Sequence, residues 1–209
     1  MTDPVHYFVT DIEADGPSVY DHSMLSFATV CVREDGEILD QFEANMTPLS
    51  NRNPDPRTTR WWETEPEAFQ NTQIDARQPS DVMPEFVQWV GEHIGRKAFA
   101  ARPLLFDGGW IDFYLLRFAD RRVFEVPYWH KPLFDCAALD LESYLYGTLG
   151  RTAMASFGTV NPPEWLGDHP HTHKAIDDAL GYAVLLSNVL KMQRGHDDIP
   201  KSMRAEFAS

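Results

Sequence analysis

The chain has no apolar run approaching the roughly 18 residues that a membrane-spanning helix requires, so a helical membrane span within it is excluded. Cysteine is scarce: Cys31 and Cys136 are the only two among 209 residues, and each stands in apolar surroundings. That argues against a disulfide framework or a zinc ribbon and predicts reduced thiols. The start, Met1-Thr2-Asp3-Pro4, lacks the basic and then apolar character of a secretory signal, so a cytoplasmic location is expected. Basic residues are also few, 18 Lys and Arg against 32 Asp and Glu, for a net charge of −14. A protein that grips long duplexes displaces condensed counterions with a basic face, and this chain is poorly equipped for that. An acidic chain can still act on nucleic acid if part of its acidity binds divalent cations that meet the phosphate. It would then hold only a few nucleotides at a chain end.

Hydrophobic residues make up 43% and charged residues 24%, the balance of an ordinary globular domain, and the length suits one α/β domain. Residues 5–10, rich in β-branched and aromatic side chains, read as a strand running into Asp11. A second strand is expected over 24–33, a tight turn at Asp35-Gly36, and a third strand over 37–46. Residues 48–79, rich in Pro, Asn, Arg and Thr, read as an excursion with one short helix. Met83, Phe86, Val87, Val90 and Ile94 recur at helical spacing after a start at Pro79-Ser80-Asp81. A buried strand is expected over 97–101, helices over 108–118 and 136–146, and a short strand over 132–134 between those helices. A loop over 150–170 precedes a long helix over 173–192. The expectation is therefore a single domain over 1–194, with an insertion at about 48–79 and a polar, loosely held tail over 195–209. Three antiparallel strands followed by alternating helices and strands predict an α/β fold, a mixed five-stranded sheet flanked by helices.

Three clusters can carry chemistry. Asp11 and Glu13 are two apart at a strand end, so their carboxylates leave the same face. Such a pair repels unless a cation lies between, and hard oxygen donors suit Mg²⁺ or Mn²⁺. Gly16 then lets the backbone turn and approach a ligand closely. In the second cluster, Phe106-Asp107-Gly108-Gly109-Trp110-Ile111-Asp112, Asp107 can cap a helix or project inward beside Asp11. Asp112, about one and a half turns on, is its competitor and faces another way. The third cluster runs from His169 to Ala179, where His173 and Asp178 are five apart across a helix entry. The alternating His169, His171 and His173 admit a second reading, a zinc ligand set.

Together the clusters resemble the DEDDh branch of the DnaQ-like exonucleases, which have a ribonuclease H-like fold. Asp11 and Glu13 match its first motif, D-x-E, Phe106-Asp107 its second, and His173 to Asp178 followed by Ala179 its third, H-x4-D. The resemblance spans residues 5–190 and is specific at the three motifs. Where the family often carries His-Asn shortly before the second-motif Asp, this chain has Arg102-Pro103-Leu104-Leu105, and Asp107 and Asp112 stay open as alternatives. Asp135 is similar to a recurrent Asp of the family with a structural role.

The resemblance implies a 3′→5′ exonuclease using two Mg²⁺ or Mn²⁺ ions held by Asp11, Glu13, Asp107 and Asp178, with His173 as general base. The product implied is a nucleoside 5′-monophosphate. The substrate is a short or single-stranded nucleic acid with a free 3′ end, RNA placed slightly ahead of DNA because of the acidic charge. Glu13, Ala14, Gly16, Met24, Leu25, Trp61 and Trp62 are the candidates for gripping it, the aromatics by stacking on terminal bases. A homodimer suits an exonuclease of this size, although no sequence feature specifies one. Three other readings stand beside this one: a catalytically silent nucleic-acid-binding module of the same fold, a zinc hydrolase built on the three histidines, and a structural subunit whose acidic surface meets a basic partner.

Overall fold

In the computed structural model, residues 3–128, 130–136, 138–151 and 161–207 are described. Three strands open the chain: β1 (Val5–Ala14), β2 (Met24–Arg33) and β3 (Ile38–Asn45). They form an antiparallel meander, and Gly36 closes its second turn at a φ of 89°, a conformation that costs glycine nothing. After α1 (Pro56–Trp62), α2 (Pro66–Asn71) and α3 (Pro79–Glu92), β4 (Arg96–Ala101) pairs parallel to β1. The helix α4 (Leu104–Ala119) follows, then β5 (Leu139–Asp140), α5 (Leu141–Thr148), a 3₁₀ turn at Pro163–Leu166, α6 (Ala175–Gln193) and α7 (Lys201–Phe207). The sheet order is β3-β2-β1-β4-β5, the mixed five-stranded sheet of a ribonuclease H-like fold.

The sheet is covered on both faces, which is why β1 and β2 are buried almost throughout and do not alternate. On one face Phe8, Phe27 and Phe99 pack with Phe86 of α3 and Trp110 and Tyr114 of α4. On the other, Val9, Ala28 and Val30 meet α6, whose Ala175, Ala179 and Ala183 recur every fourth residue. These small side chains form one stripe and bring α6 close to the sheet. β3 is the exposed edge, and most of its residues face solvent.

Several local expectations are corrected. The fifth strand is Leu139–Asp140, paired with Ala100 and Ala101, and not residues 132–134. Phe134 there is an apolar plug between Phe8 and Phe99, at ring distances of 5.4 and 5.3 Å. Next to it the Asp135 carboxylate accepts from the Lys97 N–H at 2.7 Å, a structural role that ties this segment to the start of β4. The excursion holds two short helices, not one, the first capped by the Asp55 carboxylate, which accepts from Arg57 and Thr58 N–H groups at 2.8 and 3.1 Å. Ile94 lies beyond α3 and is 88% exposed. The helices expected at 108–118 and 136–146 run over Leu104–Ala119 and Leu141–Thr148. The tail carries α7, and Ile199 and Met203 bury against Trp165 and Leu185. Part of the loop expected at 150–170, residues 152–160, falls outside the described residues. Both cysteines are free, Cys31 buried and Cys136 partly so. No described helix is long and apolar enough to cross a membrane.

Candidate active site

Alternation along β1 sends Asp11 and Glu13 to one side of the sheet, at a level where β1 still pairs with Ala28 and Ser26 of β2. Asp178 comes from the first turn of α6, where the helix N-terminus favours a negative charge. Asp11, Glu13 and Asp178 each place a carboxylate oxygen within 4.8 Å of the other two. All three are nearly shut off from solvent, at 7%, 9% and 4% exposure. Asp107, in the first turn of α4 and 3% exposed, is the fourth. Its Oδ2 is buried and has no hydrogen-bond partner among the described residues.

Such crowding is electrostatically unfavourable for a metal-free protein. Burial first, then the charges of Asp107, Glu13 and Asp178, hold the Asp11 carboxyl well above the usual carboxylate range. Glu13 is pushed up to about 9 by burial and by Asp178 and Asp107. Asp107 is pushed up to about 8, chiefly by burial, with the Arg102 backbone N–H opposing. An orphaned carboxylate oxygen beside three convergent ones is a donor set of hard oxygens, and it fits Mg²⁺ or Mn²⁺.

Asp112 is engaged elsewhere. Its carboxylate accepts from Arg122 Nε and from the Val123 N–H, both at 2.9 Å, and so fastens the loop after α4. Asp107 is not the helix cap either: the Asp140 carboxylate of β5 accepts from the Leu104 N–H at 3.0 Å and from Ser143 at 2.8 Å, capping α4 and α5 together. The geometry thus brings Asp107, not Asp112, into the carboxylate pocket.

The three histidines separate. His171 Nδ1 lies 2.9 Å from Asp178 Oδ2, and that contact raises its pKa. His173, at a left-handed φ of 58°, sets its ring 4.4 Å from His171 and edge-on to Trp61 at 4.9 Å. These two and Asp178 form a second group of closely spaced ligand atoms; His169 is not part of it and lines a separate cavity with Arg102. Asp177 faces Thr172, whose hydroxyl donates to it at 2.7 Å.

The expected substrate contacts divide in the same way. Trp62 is 4% exposed, its indole N–H donates to the Ala14 carbonyl at 3.1 Å, and it packs with Leu25 and Ala68. Trp61 is 38% exposed. Leu25, Trp62, Phe69 and Asp15 line a cavity of about 360 Å³. Met24 is fully buried in the core, and its N–H donates to the Tyr114 hydroxyl at 2.8 Å. Gly16 is required where it stands, since a Cβ would fall 2.3 Å from the His22 ring. Two residues near the carboxylates had escaped the sequence reading. Tyr182 stands one helical turn after Asp178, a spacing that signals a shared face. Arg102 stands out only as a departure from the His-Asn of the DEDDh pattern.

A profile of the 3′-5′ exoribonuclease Rv2179c-like domain matches residues 6–190. A DNA polymerase III of the PolC type from Staphylococcus saprophyticus is 33% identical over 106 residues, which is 51% of this chain and 7% of that relative. The chain thus spans a small fraction of that polymerase's length. Among solved structures, the nuclease domain of 3′hExo, a DEDDh family member bound to rAMP, superposes with a TM-score of 0.62 at 12% identity, covering 93% of this chain and 94% of the other. E. coli Exonuclease I in complex with a dT13 oligonucleotide gives a TM-score of 0.62 at 14% identity, covering 91% of this chain and 42% of that one. A 3′-exonuclease described as recognising the 3′ end of histone mRNA stem-loop gives 0.61 at 12% identity, covering 90% and 64%.

Proposed function

As a member of the 3′-5′ exoribonuclease Rv2179c-like domain family, the chain is a DnaQ-like 3′-5′ exonuclease, and we propose that it removes nucleotides from a single-stranded 3′ end by a two-metal mechanism. The observation that carries this reading is the buried set of Asp11, Glu13, Asp107 and Asp178, three of them with oxygens within 4.8 Å and the fourth with an oxygen left unpartnered. These four would hold two Mg²⁺ or Mn²⁺ ions. When bound, such ions lower the pKa of a water and neutralise charge on the attacked phosphate and leaving oxygen.

The remaining work falls to the chain's own side chains. His173 sits at the mouth of the pocket and takes the proton from the attacking water. Its left-handed backbone and its packing on Trp61 hold the ring at the entrance of α6. The cavity lined by Leu25, Trp62 and Phe69 takes the terminal nucleoside, and exposed Trp61 offers a stacking face. Hydrolysis releases a nucleoside 5′-monophosphate. The net charge of −14 restricts the grip to a few nucleotides at the end. RNA as the preferred polymer is supported by the family's description.

Matched RNA and DNA oligonucleotides, each with a free or a blocked 3′ end, test the reading. Shortening of the free-ended RNA one nucleotide at a time, faster than the DNA, is expected. Equal degradation of blocked ends would contradict it.

A further inference from the structure

The H-x4-D motif accounts for His173 and Asp178 and asks nothing of His171, which stands two residues earlier on the same loop. The fold nevertheless brings all three together, with one ligand atom from each within 4.8 Å of the other two. His171 Nδ1 is 2.9 Å from Asp178 Oδ2, and the two imidazole rings meet edge to face, with centroids 4.4 Å apart and planes at 68°. Donor atoms bonded to a tetrahedral ion at about 2.0–2.1 Å stand roughly 3.4 Å apart. The observed separations, 2.9 Å for one pair and no more than 4.8 Å for the others, lie around that value. Small ring rotations are enough to close the three around an ion.

Thr172, between the two histidines, holds the loop in this arrangement. Its N–H donates to Asp178 Oδ1 at 3.2 Å, and its hydroxyl donates to Asp177 Oδ2 at 2.7 Å and accepts from the Lys174 N–H at 3.3 Å. The Asp178 carboxylate is therefore oriented through Oδ1 and presents Oδ2 to the histidines, as a supporting hydrogen bond does for a metal ligand. Asp177 and Asp178 put two carboxylates in the first turn of α6, which offset the positive end of the helix dipole for a cation. Side-chain exposure is 2% at Asp178 and 58% at His171, so the group opens to solvent on the histidine side, where a water can complete the coordination. The donor set sorts the ions. Asp11, Glu13 and Asp107 offer only oxygen and suit Mg²⁺, whereas two imidazoles with one carboxylate suit Zn²⁺.

We propose that His171, His173 and Asp178 form a Zn²⁺ site beside the Mg²⁺ or Mn²⁺ set, and that Zn²⁺ bound there switches hydrolysis off. The ion ties up the lone pair with which His173 takes the proton from water, and it draws Asp178 away from the other carboxylates. Binding stands on the geometry alone; the switch rests on the exonuclease reading.

Binding is read by calorimetric titration of Zn²⁺ into the full chain in excess Mg²⁺. A D107N background weakens the carboxylate set and leaves the three proposed ligands in place. One Zn²⁺ per chain is expected in D107N and in D107N/H169A. In D107N/H171A the affinity should fall by about tenfold or more, since losing a ligand costs at least as much as losing a supporting contact. No uptake by D107N, an affinity unmoved by H171A, or an equal loss in H169A would overturn the site. If H171A does not fold, H171Q serves the same comparison.

The switch is read on a short RNA in Mg²⁺, each protein compared with its own rate without Zn²⁺. Wild type and H169A should be inhibited at similar Zn²⁺ concentrations, and H171A should need about tenfold more. Inhibition absent from the wild type, or equal in H171A, would overturn the switch, and the second result would place the inhibiting ion on the carboxylates. If the wild type hydrolyses no RNA even without Zn²⁺, the exonuclease reading and the switch fall together, and the calorimetry still judges the site.

Discussion

His171 Nδ1 lies 2.9 Å from Asp178 Oδ2, whereas His173, the histidine at the H-x4-D position, turns its ring toward Trp61 at 4.9 Å. Two imidazoles thus flank one carboxylate with different partners. Asp178 belongs both to the carboxylate set and to the histidine group, so a cation there would compete with His171 for it.

The first prediction separates these two. His173→Ala should lower kcat by about 10²–10⁴-fold, the usual range for a positioned general base. His171→Ala should keep most turnover and bind Mn²⁺ more readily, because a competitor for Asp178 is gone. Steady-state kinetics with calorimetric Mn²⁺ titration checks both. The reverse order of kcat losses would assign the base to His171.

Asp107 and Asp112 should part in opposite directions. In metal-free protein the Asp107 carboxyl, pushed up to about 8, is largely protonated at neutral pH. Asp107→Asn is then nearly isosteric, leaving the melting temperature without metal unchanged while turnover is lost. Asp112→Asn keeps one acceptor oxygen but gives up the charge and the second oxygen that pair with Arg122, and should lose about 1–3 kcal/mol of stability while retaining activity. Denaturant unfolding and a turnover assay on each variant decide.

Stability without metal should fall as pH rises. Folded Glu13 and Asp107 have their pKa values raised to about 9 and about 8, and that of Asp11 is also raised, while the unfolded chain has ordinary carboxyls near 4. The folded state therefore holds protons that the unfolded state releases. The contribution is full below about pH 4 and is lost as pH climbs through 8 to 9. Melting curves in EDTA should show this decline between about pH 4 and 9 and level off above it, and Mg²⁺ should reverse it. A Mg²⁺-independent melting temperature at pH 9 would contradict the cluster's role.

The adjacent tryptophans should behave differently. Trp62→Ala removes a ring that is 4% exposed and should cost about 3–5 kcal/mol. Trp61→Ala, at 38% exposure, should leave stability nearly intact and raise KM about tenfold, in line with the loss of one stacked base. Thermal unfolding and KM for a short oligonucleotide separate the two effects.

What the sequence disclosed follows how local each determinant is. Asp11 and Glu13 were legible because strand alternation alone puts them on one face. His173 and Asp178 were legible because their spacing brackets a helix entry. The choice of Asp107 over Asp112 was not, since it turns on Arg122 and Val123, ten and eleven residues beyond Asp112. The fifth strand was misplaced because Leu139–Asp140 is two residues long and shows no period, whereas residues 132–134 look like a strand but deliver Phe134 to the core. Ile199 and Met203 are two isolated apolar residues in a polar tail, too weak a signal to predict that α7 docks. The flanking cavities form only when segments distant in sequence meet.

The central claim, that Asp11, Glu13, Asp107 and Asp178 hold divalent ions for hydrolysis from a 3′ end, is tested most directly with a 5′-labelled RNA followed in time. Wild-type protein in Mg²⁺ or Mn²⁺ should give a ladder shortening from the 3′ end with release of nucleoside 5′-monophosphates; EDTA, or Asp11→Asn in the presence of metal, should leave the RNA intact. Continued shortening in EDTA, or by Asp11→Asn at the wild-type rate, would contradict the account.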